Sequence, residues 1–156
     1  MTKQRHRSTG SLHSLRVLCL SGLVVVTTRL ALSLRATHRL QARIDKAHAR
    51  NKRAAPDPQM HLHDMREVAW AVAASARVVP GASCLTQAMA GRWLLARRGW
   101  ESVVELSLPM EMSKGFRPHA WLLSGETIVL GGTSRDYARH RRFERPVEMP
   151  AHEGIE

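Results

Sequence analysis

The sequence predicts an α+β fold: a cysteine at a helix N-terminus packed against a small antiparallel sheet, preceded by a basic N-terminal helix of apolar character. Three observations predict it. A helical apolar repeat runs from residue 64 to residue 98 and is interrupted once, at Pro80-Gly81, as two helices joined by a turn would be. After Gly99-Trp100 the apolar period drops to two, which is the period of strands. Cys84 stands where the second helix opens, and 35 residues later His119 opens an apolar strand.

The elements follow in chain order, beginning with the arm. At 156 residues and 44% hydrophobic content, the chain can bury one core of ordinary size. Its formal charge of +11 points first to nucleic acid, but the distribution points elsewhere. Residues 1–53 hold 12 Lys/Arg and one acid, Asp45, whereas residues 54–156 hold 12 Lys/Arg and 12 acids. A basic arm on a neutral domain suits an anionic surface: lipid head groups, RNA, or an acidic peptide or protein. Neutrality after residue 54 and the lack of a basic-aromatic platform argue against a nucleic-acid binder.

Within the arm, residues 17–28 are uncharged, between Arg16 and Arg29. That is too short to cross a bilayer, and extension to residue 34 places an arginine inside the span at a cost of about 2.5 kcal/mol or more. A secretory signal is a rival, but its small-x-small site, Ala31-Leu32-Ser33, comes only after Arg29, which is poor grammar for cleavage. The expected form is a helix that packs on the domain or lies along a membrane face. Arg29, Arg35, Arg39, Arg43, Lys46, Arg50 and Arg53 would then be its solvated or lipid-facing stripe. Cys19 and Cys84 are the two cysteines and make no disulfide framework. A reducing cytoplasm is the expected compartment, with membrane association left open.

Pro56 and Pro58 mark a linker over residues 54–63. Asp64 and Glu67 have capping-box spacing, which predicts a helix to about Arg77 with Val68, Val72 and Ala76 on one stripe and Trp70 in the core. Ser83 is the expected cap of the second helix and Gly99 its stop. Alternation of Val104, Leu106 and Leu108 with Val103, Glu105 and Ser107 predicts a strand. Residues 109–118 read as a loop. A hairpin then turns at Ser124-Gly125-Glu126, with His119, Trp121 and Leu123 on one face. The core so predicted spans residues 64–132, and residues 133–156 read as a polar tail.

A buried cysteine is commonly inert packing. Cys84 differs by its place at a capped helix start, where partial positive charge favours a thiolate, and by a histidine strand that can supply a base. His61, His63 and Asp64 form an HxHD group, but it lacks the further ligands of a closed metal site. No metal and no cofactor is expected.

This order of helix, cysteine-capped helix, strand, histidine strand and strand is the architecture of a papain-like or transglutaminase-like core. The run EVAWAVAASARVVPGASCLTQAMAGRWLLARRGW, followed by strand, loop and PHAWLLSGETIVLGG, resembles the lasso peptide biosynthesis B2 proteins. These are stand-alone leader peptidases, similar to the C-terminal domain of the microcin J25 processing protein, within the transglutaminase-like superfamily. The resemblance covers residues 65–132 and is carried by Cys84-Leu85 with Ala88, then Leu95, Arg97-Arg98-Gly99, and His119-Ala120-Trp121.

The resemblance implies cysteine proteolysis of a ribosomally made precursor peptide. Its partners would be a leader-recognition (B1-type) protein and a separate ATP-dependent lasso cyclase. Cys84 takes the nucleophile position and His119 that of general base and acid. An orienting acid is expected about a dozen positions after the histidine, where this chain has Gly131 and Gly132. Asp136, Glu126, a backbone carbonyl or a side-chain amide are the alternatives for that role. The absent acid also motivates a rival from another class, a catalytically impaired adaptor that holds the precursor or docks partners at a membrane surface.

Overall fold

A computed structural model describes residues 7–52, 57–110 and 118–142. The chain forms α1 (Arg7–Ser33), α2 (Thr37–Asn51), α3 (Pro58–Val78) and α4 (Cys84–Arg97), then β1 (Val103–Pro109), β2 (His119–Ser124), β3 (Thr127–Leu130), α5 (Ser134–Ala138) and β4 (His140–Arg142). This is the α+β class that the sequence predicts, with an apolar helix at its start. The loop read over residues 109–118 falls largely on 111–117, outside the described residues.

The arm belongs to the core. Ser21, Val24, Val25 and Thr28 of α1 are buried against α3 and α4, and Leu40 and Ile44 of α2 are buried with Met89 and Ala96 of α4. The two helices are joined by a Schellman turn in which Ala36 N–H donates to Ala31 O at 2.8 Å and Arg35 N–H to Leu32 O at 3.2 Å. Arg35 holds the left-handed position, φ 54°, usually given to glycine.

Three sequence expectations are corrected here. α3 starts at Pro58 with Asp57 as its cap, so residues 58–63 are helix, not linker, and Asp64 lies inside the element. Proline at the first helical position costs nothing there, since its missing N–H has no intrahelical partner. Trp70 is 51% exposed, because the buried stripe is Met65, Val68, Ala71, Val72 and Ser75, which leaves the tryptophan on the flank. Residues 134–142, read as part of a polar tail, form α5 and β4, and β4 pairs with β1.

The sheet is antiparallel, in the order β3-β2-β1-β4. Its face toward α4 carries Ala120, Leu122 and Leu130, packed with Ala88, Leu94 and Leu95. The approach is so close that a Cβ on Gly91 would stand 2.6 Å from Leu122 Cδ2 and 2.7 Å from Leu130 Cδ1. The opposite face carries Ser107, His119 and Trp121. Trp121 is fully buried and donates its indole N–H to Ser107 Oγ at 2.7 Å, with Tyr137 and His140 edge-on to its ring.

Candidate active site

Ser83 caps α4, its hydroxyl accepting from Thr86 N–H at 3.3 Å while its carbonyl accepts from Gln87 N–H at 3.0 Å. Of the four N–H groups that a helix start leaves without intrahelical partners, those of Ser83, Cys84 and Leu85 have no hydrogen bond among the described residues. Cys84 is half-buried against the main core. The sequence places it there by local means: Pro80-Gly81, with Gly81 at φ 72°, ends the approach from α3, and Ser83 starts the next helix.

Two contacts set where Cys84 lies along the sheet. Gly91 sits over Leu122 and Leu130. At the far end, Trp100 stacks on His61 at 4.3 Å, His61 Nε2 bonds Ser124 Oγ at 2.9 Å, and Ser124 donates to Glu101 O at 2.6 Å. The C-terminal end of α4 is therefore level with the C-terminal end of β2. Going back from Gly91 to Cys84 covers about 10 Å of helix, and going back from Leu122 to His119 covers about 10 Å of strand. Cys84 and His119 consequently stand toward the same end of the helix–sheet pair, but His119, an odd three residues from Leu122, lies on the sheet face turned away from α4. Among the described residues no hydrogen bond joins them.

His119 is half-buried and its orientation is fixed. Nε2 donates to the backbone carbonyl of Gly131 at 2.7 Å. A carbonyl only accepts, so the proton is on Nε2 and the lone pair is on Nδ1. The ring also meets Trp121 edge-on at 4.7 Å and His140 at 5.7 Å. Gly131 reaches this position because its φ is 120° and its backbone crosses Trp121, where an added Cβ would lie 2.6 Å from Cε3. No other residue fits.

Among the described residues, none of the remaining candidates has a side chain hydrogen-bonded to His119. Asp136 forms the capping box of α5, accepting from Thr133 N–H at 3.0 Å and Thr133 Oγ1 at 2.6 Å, and these hydrogen bonds hold its carboxyl below the usual range. Glu126 lies in the hairpin turn beyond Ser124, about 16 Å or more along β2 from His119. His61 is taken up by Trp100 and Ser124. Asp64, instead of capping a helix, accepts from Arg98 at 2.7 Å and from the Trp100 indole at 2.6 Å. His140, which meets the His119 ring, and Tyr137, which meets Trp121, lie in the stretch read as tail. The Thr133-x-x-Asp136 capping signal was the clue to structure there.

The chain matches the family described as the transglutaminase-like superfamily over residues 24–144, a span that starts inside α1 and takes in α5 and β4. No curated protein and no solved structure matches it at a significant level.

Proposed function

The chain belongs to the transglutaminase-like superfamily, and from that premise we propose that it is a cysteine-type leader peptidase acting in the cytoplasm on a lasso peptide precursor. The observation that carries the reading is a shared end: a cysteine in the first turn of α4 and, on the far face of the sheet toward the same end, a histidine whose Nδ1 is left free because Nε2 bonds the Gly131 carbonyl. Fold membership alone would not select peptidase chemistry. The resemblance of the cysteine and histidine segments to leader peptidases does.

In this reaction Cys84 gives its proton to Nδ1 of His119 and attacks the carbonyl at the leader–core junction. The N–H groups of Cys84 and Leu85 hold the developing oxyanion. His119 then passes the proton to the departing amine of the core peptide, leaving the leader as a thioester on Cys84. Water, deprotonated by the same nitrogen, releases the leader and restores the thiol. The Gly131 carbonyl keeps the productive tautomer, a task that an acid performs in other triads. A leader-recognition protein would bring the precursor, and a cyclase would consume the freed core.

The test is incubation of precursor, recognition protein and the chain, read by mass spectrometry. Wild type yields leader and core, whereas Cys84→Ala and His119→Ala do not. A Cys84→Ala protein that still cuts would end the proposal.

A specific observation favours the second reading, a non-catalytic adaptor: the ring is held by a neutral carbonyl, and no hydrogen bond reaches it from the thiol. Cys19 is exposed and supplies an internal reference for alkylation. Cys84 reacting faster than Cys19 at neutral pH supports the peptidase, and Cys84 reacting more slowly supports the adaptor.

A further inference from the structure

Several large side chains of α1, and Leu34 just after it, face away from the protein. Leu12, Leu15, Leu23, Val26, Leu30 and Leu34 are exposed, Leu23 by 62% and Leu34 by 76%, and they recur in steps of three, four and eight along one side. At about 100° per residue this stripe lies half a turn from Ser21, Val24, Val25 and Thr28, which are buried. The usual amphipathic order is inverted: hydroxyls and small side chains face inward, leucines outward.

Residues 12–33 have a mean hydropathy of 1.8 and the length to cross a bilayer, but the inward face is committed to α3 and α4. Those helices carry exposed Arg66, Arg77 and Arg97, so the domain cannot follow α1 into the hydrocarbon layer. Only the outward face is available. Arg29, the one charge within residues 17–33, is turned off the stripe, bonding Ser33 and lying beside Gly81.

Exposed cations lie near the stripe in the chain. Arg16 and Arg35 stand near its ends, and α2 exposes Arg39, Arg43, Lys46 and Arg50 at steps of four, three and four, one helical face. A second copy of the chain on this stripe would bring two such arms together, against their like charge. We infer that α1 lies along, and not through, an anionic lipid surface, with its leucine stripe at the headgroup–acyl boundary and the arginines of α1 and α2 at the lipid phosphates.

The test is flotation of the full chain with vesicles of phosphatidylglycerol and phosphatidylcholine in equal parts, and with phosphatidylcholine alone. The chain is expected to float with the anionic vesicles and to be released by alkaline carbonate. Leu23→Glu/Leu30→Glu should weaken partition by more than about tenfold with an unchanged circular dichroism spectrum. Arg43→Ala/Lys46→Ala should weaken it about thirtyfold on the anionic vesicles only. Should the glutamate variant not fold, Leu23→Trp serves: the emission it adds to that of the wild type should shift to the blue on anionic vesicles and be quenched by lipids brominated near the headgroup. No binding to anionic vesicles, equal binding by the leucine variant, or an unshifted emission from Leu23→Trp would overturn the inference. So would carbonate-resistant insertion, which means a span, or a vesicle-free dimer that Leu23→Glu/Leu30→Glu dissociates, which means a second copy covers the stripe.

Discussion

The helix–sheet pair formed by α4 and β2 is fastened at one end and open at the other. At the fastened end Arg98 reaches Asp64 and Glu67 at once, Trp100 bonds Asp64, and His61 bridges Trp100 to Ser124. Because Ser124 spends its proton on Glu101 O, His61 must be the donor to Ser124, and the network is satisfied along its length. At the open end, among the described residues, the Cys84 thiol makes no hydrogen bond, and the His119 ring makes one, to a backbone carbonyl, beside its edge-on and tilted contacts with Trp121 and His140. The difference teaches where stability and chemistry are kept. Charge-assisted pairs and stacking hold the fold at one end, and the other is where the proposed mechanism puts its chemistry.

The sharpest challenge to this contrast falls at the junction of the two roles, Gly131. Replacing it with Ala asks a Cβ to enter at 2.6 Å from Trp121, at φ 120°, and overpacking plus backbone strain should cost about 3 kcal/mol, read as a shift in urea midpoint. Gly131→Asp, which would supply the acid that the family pattern expects, should fail for the same reason and restore nothing. Next in size is Arg98→Ala, which leaves two partly buried carboxylates facing each other and should cost about 2 kcal/mol. Arg98→Lys should recover only part of it, because one ammonium cannot fork to two carboxylates.

These residues also show how far the sequence could be read. Ser83, Gly99 and the Gly125 turn are local signals, each tied to one backbone geometry, and α4 and the hairpin follow from them. Asp64 and Glu67 mislead because a spacing of three serves two purposes: it makes a capping box at a helix start and one charged face inside a helix. Arg98, 31 positions after Glu67, decides between them, and no local pattern contains it. Trp70 fails similarly, since periodicity gives a stripe but not which flank a neighbour covers. Cys84 and His119 are singled out in the sequence by type and position, and the structure places them at the starts of α4 and β2. The sequence leaves a backbone carbonyl among several alternatives for holding the ring, because a backbone acceptor leaves no trace in residue identity, and the structure has Gly131 O there. β4, three residues long, is too short for any period to register.

A smaller effect follows from pH. Burial pushes Glu67 upward, but hydrogen bonds from His13 and Arg98 and the charge of Arg98 outweigh it, and its carboxyl lies below the usual range. A depressed carboxylate contributes stability that is present above its unfolded value and lost as pH falls through the folded one. The fastened end should therefore loosen in acid, below the ordinary carboxylate range, and Glu67→Gln should flatten that limb of the stability profile.

The smallest expected change in stability is at the open end itself, and it separates the two roles most cleanly. Cys84→Ser keeps the size and the helix start, removes no hydrogen bond made by Sγ among the described residues, and exchanges one half-buried atom. Its urea midpoint should stay within about 1 kcal/mol of wild type. Its precursor cleavage, on the proposed mechanism, should fall by about a thousandfold or more, because a hydroxyl at this site is a far weaker nucleophile than a thiolate. Gly131→Ala and Arg98→Ala lose stability first, and cleavage in proportion to the folded fraction or beyond it. A Cys84→Ser protein that unfolds as readily as Arg98→Ala would place the cysteine in the structural network and erase the contrast between the two ends.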